Sequence, residues 1–229
     1  MQAPSWLGIG AQRSGTTWFT NLICQHPQAG LGTNDVKEQQ LLHKVADGLE
    51  PEQSYLGLFP DDGIRRGEFS PSYLRHPSMS AYVARAMPEG PVVVLLRDPV
   101  ERYRSAMRLR AFRGRSYPYP VPNQLQTWAG FYADQLAAWS TYVDRDRFVV
   151  TTYERARKDP QAVVDRVWRA MGLEPVALMD SERPSATTSK ADWDWPEGTR
   201  EVLQVLYRPQ ARRLEDDWGL DVSVWESLR

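Results

Sequence analysis

The stretch Gly10-Ala-Gln-Arg-Ser-Gly-Thr-Thr-Trp18 sets an arginine between two glycines and follows them with two hydroxyl residues. The spacing of Gly10 and Gly15 is that of a phosphate-cradling loop, in which backbone N–H groups and the positive end of a following helix aim at one point. Such a point wants an anion. A nucleoside-triphosphate site places a lysine directly after the second glycine; here that residue is Thr16, and Arg13 supplies the charge from inside the loop. A second cationic feature is Arg97, which leaves the aliphatic run Val92 to Leu96, with Ser105 two helical turns further on. An arginine at the carboxyl end of a buried strand stands where open α/β sheets bind ligands, so Arg97 and Ser105 together suit a second phosphate. A third feature is Lys37-Glu38, a cation and a carboxylate soon after the second expected strand.

Arg13-Ser14-Gly15-Thr16-Thr17-Trp18 resembles the 5′-phosphosulfate loop of sulfotransferases that use 3′-phosphoadenosine 5′-phosphosulfate (PAPS). Arg97-Asp-Pro-Val-Glu-Arg-Tyr-Arg-Ser105 resembles the 3′-phosphate site of the same enzymes. The resemblance runs from Trp6 to about Trp225, is strongest to enzymes of the heparan sulfate type, and implies a bacterial member of the family. It implies that Arg13 and the loop through Ser14, Gly15, Thr16, Thr17 and Trp18 hold the 5′ end of the donor, while Arg97 and Ser105 hold its 3′-phosphate. Lys37-Glu38 resembles the segment of that subgroup whose glutamate is the proposed general base. By the same resemblance Glu38 takes the proton of the acceptor, with Lys37 beside it and His43 as a rival base on the same expected helix. A carboxylate suits this work when burial makes it a stronger base. Gly67-Glu-Phe-Ser-Pro-Ser-Tyr73 resembles another segment of the subgroup, but Phe69 stands where many relatives carry a lysine. Either Lys37 or Arg13 then does that cation's work, or the acceptor differs. Tyr153, near the end of the last expected strand, and Lys190, in a polar stretch, are further donor-binding candidates. The desulfonated product would be 3′,5′-bisphosphoadenosine (PAP). No metal is expected, since clamped arginine and backbone dipoles can stabilise the leaving phosphate.

These residues need a scaffold. Ser5 to Gly10 reads as a strand, Thr16 to Cys24 as a helix ending before Pro27, and Ala29 to Thr33 as a short strand. Asn34-Asp35 is placed to cap a helix carrying Lys37, Glu38, Leu41 and Leu42. The section through Pro51, Gly57, Pro60 and Gly63 reads as loops, Glu68-Phe69 as a brief strand and Ser78 to Met87 as a helix. Val92 to Leu96 has the continuous apolar character of a strand buried on both faces. Arg113 to Asn123, with three prolines, reads as a loop, and Gln124 to Tyr142 as one helix with a core-facing stripe. Arg147 to Thr151 is a strand, Gln161 to Met171 a helix, Glu182 to Pro196 a polar lid, and Glu197 to Trp218 a helix that Pro209 bends or splits. Strands alternating with helices predict an α/β fold with a central, mainly parallel sheet flanked by helices. The resemblance makes this the P-loop-like sulfotransferase fold, as a single domain over residues 1–229.

Composition narrows the classes. With 28 Lys and Arg against 29 Asp and Glu, the formal net charge of -1 argues against nucleic acid as a partner. Cys24 is the only cysteine, which excludes an intrachain disulfide and a thiolate metal cluster. The start Met1-Gln-Ala-Pro lacks a charged and then apolar leader, and Val92 to Leu96 is the longest aliphatic run. No membrane partner and a cytoplasmic setting are therefore expected. The acceptor implied is a hydroxyl, phenol or amine of a small molecule or saccharide, and the aromatic and proline loop favours a small, natural-product-like one. Two other readings stay open: a P-loop small-molecule kinase, with Asp98 as the candidate magnesium ligand, and a non-catalytic nucleotide-binding protein.

Overall fold

The structure, a computed structural model, describes residues 3–113, 121–179 and 193–229, with the backbone alone for 121–123. β1 (Trp6–Gly10) is buried along its whole length. The chain turns through Gly15, at φ 84°, into α1 (Thr16–Ile23) and returns as β2 (Ala29–Leu31). Two short helices, α2 (Leu42–Ala46) and α3 (Glu52–Leu56), precede β3 (Arg65–Phe69). α4 (Ser80–Ala86) leads to β4 (Val92–Leu96), from which α5 (Pro99–Phe112) starts. There follow α6 (Val121–Trp128), α7 (Tyr132–Trp139), β5 (Phe148–Thr152), α8 (Tyr153–Lys158), α9 (Pro160–Ala170) and α10 (Thr199–Trp218).

The strands form one parallel sheet in the order β2-β3-β1-β4-β5. The chain fills the β3 side of β1 first and then crosses to the β4 side, so the order reverses beside β1. In open α/β sheets, ligands bind at such a reversal, outside the carboxyl ends of the strands. The loop after β1 carries Arg13 and the residue after β4 is Arg97, so two motifs far apart in sequence leave neighbouring strands at one edge.

The apolar run of β4 is divided between two cores. Val92, Val94 and Leu96 join Leu7, Ile9, Tyr73, Leu136, Trp139 and Leu214 on one face. Val93 and Leu95 join Trp6, Phe19, Phe69, Val167 and Trp168 on the other. Side chains alternate across a strand, so a strand covered by helices on both sides must be apolar throughout. This is the P-loop-like α/β arrangement, a central parallel sheet between helical layers.

Several expected elements differ. No helix starts at Asn34: Asp35 and Gln40 have φ of 54° and 53°, which a right-handed helix excludes, and α2 begins only at Leu42. Glu38 and His43 therefore do not share a helix. Pro51 opens α3 within a section expected to be loops. The stripe from Gln124 to Tyr142 is two helices with a break between Trp128 and Tyr132; at Gly130, within the break, a Cβ would lie 2.6 Å from the Tyr207 ring, so only glycine fits. α6 also extends back to Val121, and Leu125 and Trp128 on it are 50% and 41% exposed and not core. α10 runs unbroken through Pro209. Residues 182–192 of the expected lid lie outside the described residues; Trp195, which follows them, stacks on Tyr103 at 5.9 Å. Among the described residues no helix is long and apolar enough to cross a membrane.

One tie secures the helix that presents Ser105. Asp98 caps α5 by accepting from the Val100 and Glu101 amides at 3.0 and 3.2 Å. The same carboxylate accepts from Ser227 Oγ at 2.5 Å and from the Ser227 amide at 3.1 Å, which fastens the end of the chain to the start of α5. A hydrogen bond to a buried charged acceptor contributes roughly 1.5–3 kcal/mol. Ser227→Ala should lower stability by about that amount in urea unfolding, with the slope against urea unchanged.

Candidate active site

Backbone geometry sets the first cradle. Arg13 lies in the left-handed region at φ 72°, and Gly15 follows at φ 84°. The ring of Tyr153, at the start of α8, would stand 2.8 Å from a Cβ at Gly15, so a bare backbone is needed there twice over. Ser14 is fully buried, and its hydroxyl, like the indole N–H of Trp18, has no hydrogen-bond partner among the described residues. Thr16 is buried at the head of α1, and Thr17 is exposed.

The second cradle meets the first. Arg13 donates from Nε and Nη2 to Ser105 Oγ at 3.3 and 3.1 Å, and Arg97 Nη1 donates to the Arg13 carbonyl at 3.3 Å. Arg97 lies over the Tyr153 ring at 5.2 Å, and Tyr132 Oη donates to its carbonyl at 3.0 Å. Arg97 is not drawn off by its acidic neighbours: Asp98 is engaged as a cap, and Glu101 pairs with Arg104 at 3.9 Å. Four predicted donor residues, Arg13, Arg97, Ser105 and Tyr153, thus share one place. Lys190 lies outside the described residues.

Arginines dominate the charge there, although the buried carboxylate of Asp98 and the half-buried one of Glu154 stand close by. Burial lowers the pKa of Arg13 from its ordinary value, and the guanidiniums of Arg97, Arg113 and Arg102 lower it further. Arg102 is fully buried and donates to the side-chain oxygen of Gln126 at 3.0 Å and to the Gln126 carbonyl. Arg75 donates to the Gln12 side-chain oxygen at 3.4 Å, and burial followed by Arg102 lowers its pKa. Arg13, Arg97, Arg102 and Arg75 thus make their hydrogen bonds to neutral groups. Guanidiniums gathered with no carboxylate hydrogen-bonded to them among the described residues leave an electrostatic demand that an anion meets.

The Lys37-Glu38 pair stands at the β3 side of β1. Lys37 Nζ lies 2.5 Å from Glu38 Oε1 and donates to the Phe69 carbonyl at 3.2 Å. The Glu38 side chain is 42% exposed, so the burial expected of a general base is not provided by the protein alone. Phe69 turns its ring into the core against Gly8, where a Cβ would lie 2.2 Å from the ring, and away from the cleft. The Lys37 ammonium stands 5.7 Å from that ring. His43, on α2, packs at 6.3 Å against both His76 and Tyr73.

The sequence places Glu68, Ser70 and Tyr73, which surround the backbone next to Glu38, and Arg102 within segments that resemble the family but gives them no role of their own, and it does not single out Arg75. The available signal for the first three was a carboxylate in an otherwise buried strand end, since such a group survives only where donors surround it.

A family model described as "Sulfotransferase family" matches residues 38–177, more than half of the chain. The bifunctional heparan sulfate N-deacetylase/N-sulfotransferase 4 of Mus musculus is 22% identical over 75% of this chain and 22% of its own length. The heparan sulfate glucosamine 3-O-sulfotransferase 6 of Mus musculus is 27% identical over 95% of this chain and 72% of its own. The chain therefore spans about a fifth of the first relative and nearly three quarters of the second. Among solved structures, a sulfotransferase from Alicyclobacillus acidocaldarius superposes with a TM-score of 0.80 at 22% identity, over 98% of this chain and 99% of that one. The sulfotransferase domain from the curacin biosynthetic pathway gives 0.60 at 16% identity, over 81% and 80%. These likenesses are of fold, and the family model adds descent: the chain belongs to the sulfotransferase family.

Proposed function

We propose that the protein transfers a sulfuryl group from PAPS to a hydroxyl, phenol or amine of a small-molecule or saccharide acceptor. The observation that carries this reading is the junction of Arg13, Ser105 and Arg97, two anion-binding motifs hydrogen-bonded into one cradle. The residues suit a doubly phosphorylated adenosine. Ser14 Oγ and Trp18 Nε1 are buried without partners, and the arginines around them have only neutral ones. When bound, the donor supplies an activated sulfuryl group for in-line displacement at sulfur, with PAP as the leaving product.

In this reading Arg13, the Ser14 hydroxyl and the N–H groups of Gly15 to Trp18 hold the 5′ end and stabilise charge on the departing phosphate. Arg97 and Ser105 fix the 3′-phosphate, and Tyr153 walls the cleft beside Gly15. Glu38 takes the acceptor proton, and an acceptor seated over it would supply the missing burial. Lys37, anchored on the Phe69 carbonyl, keeps a cation beside that carboxylate. The names of the relatives support both acceptor types, one an N-sulfotransferase and one a 3-O-sulfotransferase of heparan sulfate, and the curacin domain supports a small natural product.

Calorimetric titration with PAP, set beside ATP with magnesium, tests the donor. PAP at about 100 times its dissociation constant should stabilise the protein by about 2.7 kcal/mol, with no comparable effect from magnesium-ATP. Preference for magnesium-ATP would replace this reading with a kinase. PAP binding without sulfation of any acceptor in a panel of phenols, amines and saccharides would leave a nucleotide-binding protein.

A further inference from the structure

The loop that carries Glu38 is not held by a helix, yet the amides that follow Glu38 are all taken. Four successive amides are taken by three side chains from the end of β3 and the turn after it. The Gln39 amide donates to Glu68 Oε2 at 3.2 Å and the Gln40 amide to Ser70 Oγ at 3.4 Å. The Leu41 and Leu42 amides both donate to Tyr73 Oη, at 3.2 and 3.1 Å. Before Glu38, the Phe69 amide donates to the Lys37 carbonyl at 3.0 Å, and Lys37 Nζ donates back to the Phe69 carbonyl. Glu38 is thus bracketed on both sides by β3.

Glu68 orders this template. It is fully buried, and it accepts from Ser70 Oγ at 2.6 Å, Tyr55 Oη at 2.8 Å and Tyr73 Oη at 3.2 Å. A hydroxyl has one proton and two lone pairs. Tyr73 gives its proton to Glu68, which turns both lone pairs toward Leu41 and Leu42; Ser70 does the same for Gln40. Without the carboxylate these hydroxyls have no reason to present lone pairs to the loop. Burial raises the pKa of Glu68, and its donors Ser70, Tyr55, the Gln39 amide and Tyr73 oppose that rise. The price of burying the group is met by those donors, and what it secures is a backbone with Gln40 at φ 53°.

We infer that Glu68, acting through Ser70 and Tyr73, is a positioning residue that fixes the backbone from Gln39 to Leu42 and so sets where the Glu38 carboxylate stands. The inference rests on Glu38 as the base in the reading above. A shift of about 1 Å at a reacting group can cost about 100-fold in rate. A loop freed from four amide anchors has that latitude.

The test uses Tyr73→Phe and Ser70→Ala, which each delete one oxygen from the template, with Glu68→Gln as the more disruptive third variant. Hydrogen exchange at the amides of Gln39 to Leu42 reports the clamp without any donor present. Protection there should fall at least about 10-fold in Tyr73→Phe, while amides within β4 keep theirs. PAP should bind all folded variants with unchanged stoichiometry and affinity within about twofold. The turnover number per PAP-binding site should fall about 100-fold with the KM for donor unchanged, a split that partial unfolding does not produce. Unchanged protection in Tyr73→Phe and Ser70→Ala would remove the clamp. Lost protection with wild-type turnover would remove the positioning role, even if the loop is held as described. Wild-type protein that binds no PAP would remove the functional reading itself, an outcome visible before any variant is made.

Discussion

Arg13→Ala should lower turnover at saturating donor by about two to three powers of ten, the loss that follows removal of one preorganised donor to a developing charge. The site makes this a sharp test because stability and activity should move in different directions. Arg13 is buried among like charges: its pKa is lowered first by burial and then by Arg97, Arg113 and Arg102. Deleting it relieves that repulsion. The backbone term cancels, since arginine and alanine bear a similar penalty at φ 72°. Ser105 loses two hydrogen bonds from the guanidinium, each to a neutral hydroxyl and each a modest contribution. The melting temperature should therefore hold or rise while turnover collapses. Arg13→Lys should fall between the two, because it keeps the charge and loses the fork that reaches Ser105. Rapid-mix kinetics at saturating donor with a thermal melt on the same samples would show it. Wild-type turnover in Arg13→Ala would end the role assigned to this residue.

The parts of the molecule legible in the sequence were those where local chemistry and tertiary context agree. β1, α1 and β4 were placed to within a residue or so, since Gly15, Pro99 and an unbroken apolar run mean the same thing locally and globally. The pairing of Arg13 with Arg97 followed from their positions after two strands, and the sheet order supplied what sequence lacked, that the two strands are neighbours. Illegible were segments whose backbone is satisfied by distant side chains. Residues 34–41 have a cap-like start and an apolar pair, but Glu68, Ser70 and Tyr73 hold amides of this stretch in an irregular path that no local propensity encodes. The long helical stripe hides its break for a similar reason: the Tyr207 ring from α10 packs where a Cβ at Gly130 would stand, a contact that no local pattern shows. Phe69 shows the limit of position alone. The resemblance alone would put a lysine in its place, while strand alternation turns the Phe69 ring into the core.

Glu38→Gln should keep PAP affinity within about twofold and lower the turnover number by about two to four powers of ten, the range for a lost general base. The substitution preserves shape, and the surroundings limit collateral effects. The pair with Lys37 is close, at 2.5 Å, but the glutamate is 42% exposed, and exposed pairs contribute about 0–1 kcal/mol. Lys37 keeps its bond to the Phe69 carbonyl and its place over the Phe69 ring when Glu38 is neutral. Gln39 to Leu42 stay anchored on Glu68, Ser70 and Tyr73, so the side chain at 38 changes chemistry without changing address. The donor contacts proposed above lie with Arg13, Arg97 and Ser105, whose hydrogen bonds among the described residues do not reach this loop. His43 is the control, because it lies on α2 among Tyr73 and His76 and not in the loop. His43→Gln should leave turnover within a few-fold of wild type; if the large loss falls there instead, the proton goes to the imidazole and Glu38 is surface. Equal loss of PAP affinity and turnover in Glu38→Gln would make it a donor-site or structural residue. Loss of turnover alone, with a melt within a degree or two, is the result that separates a base from a scaffold residue.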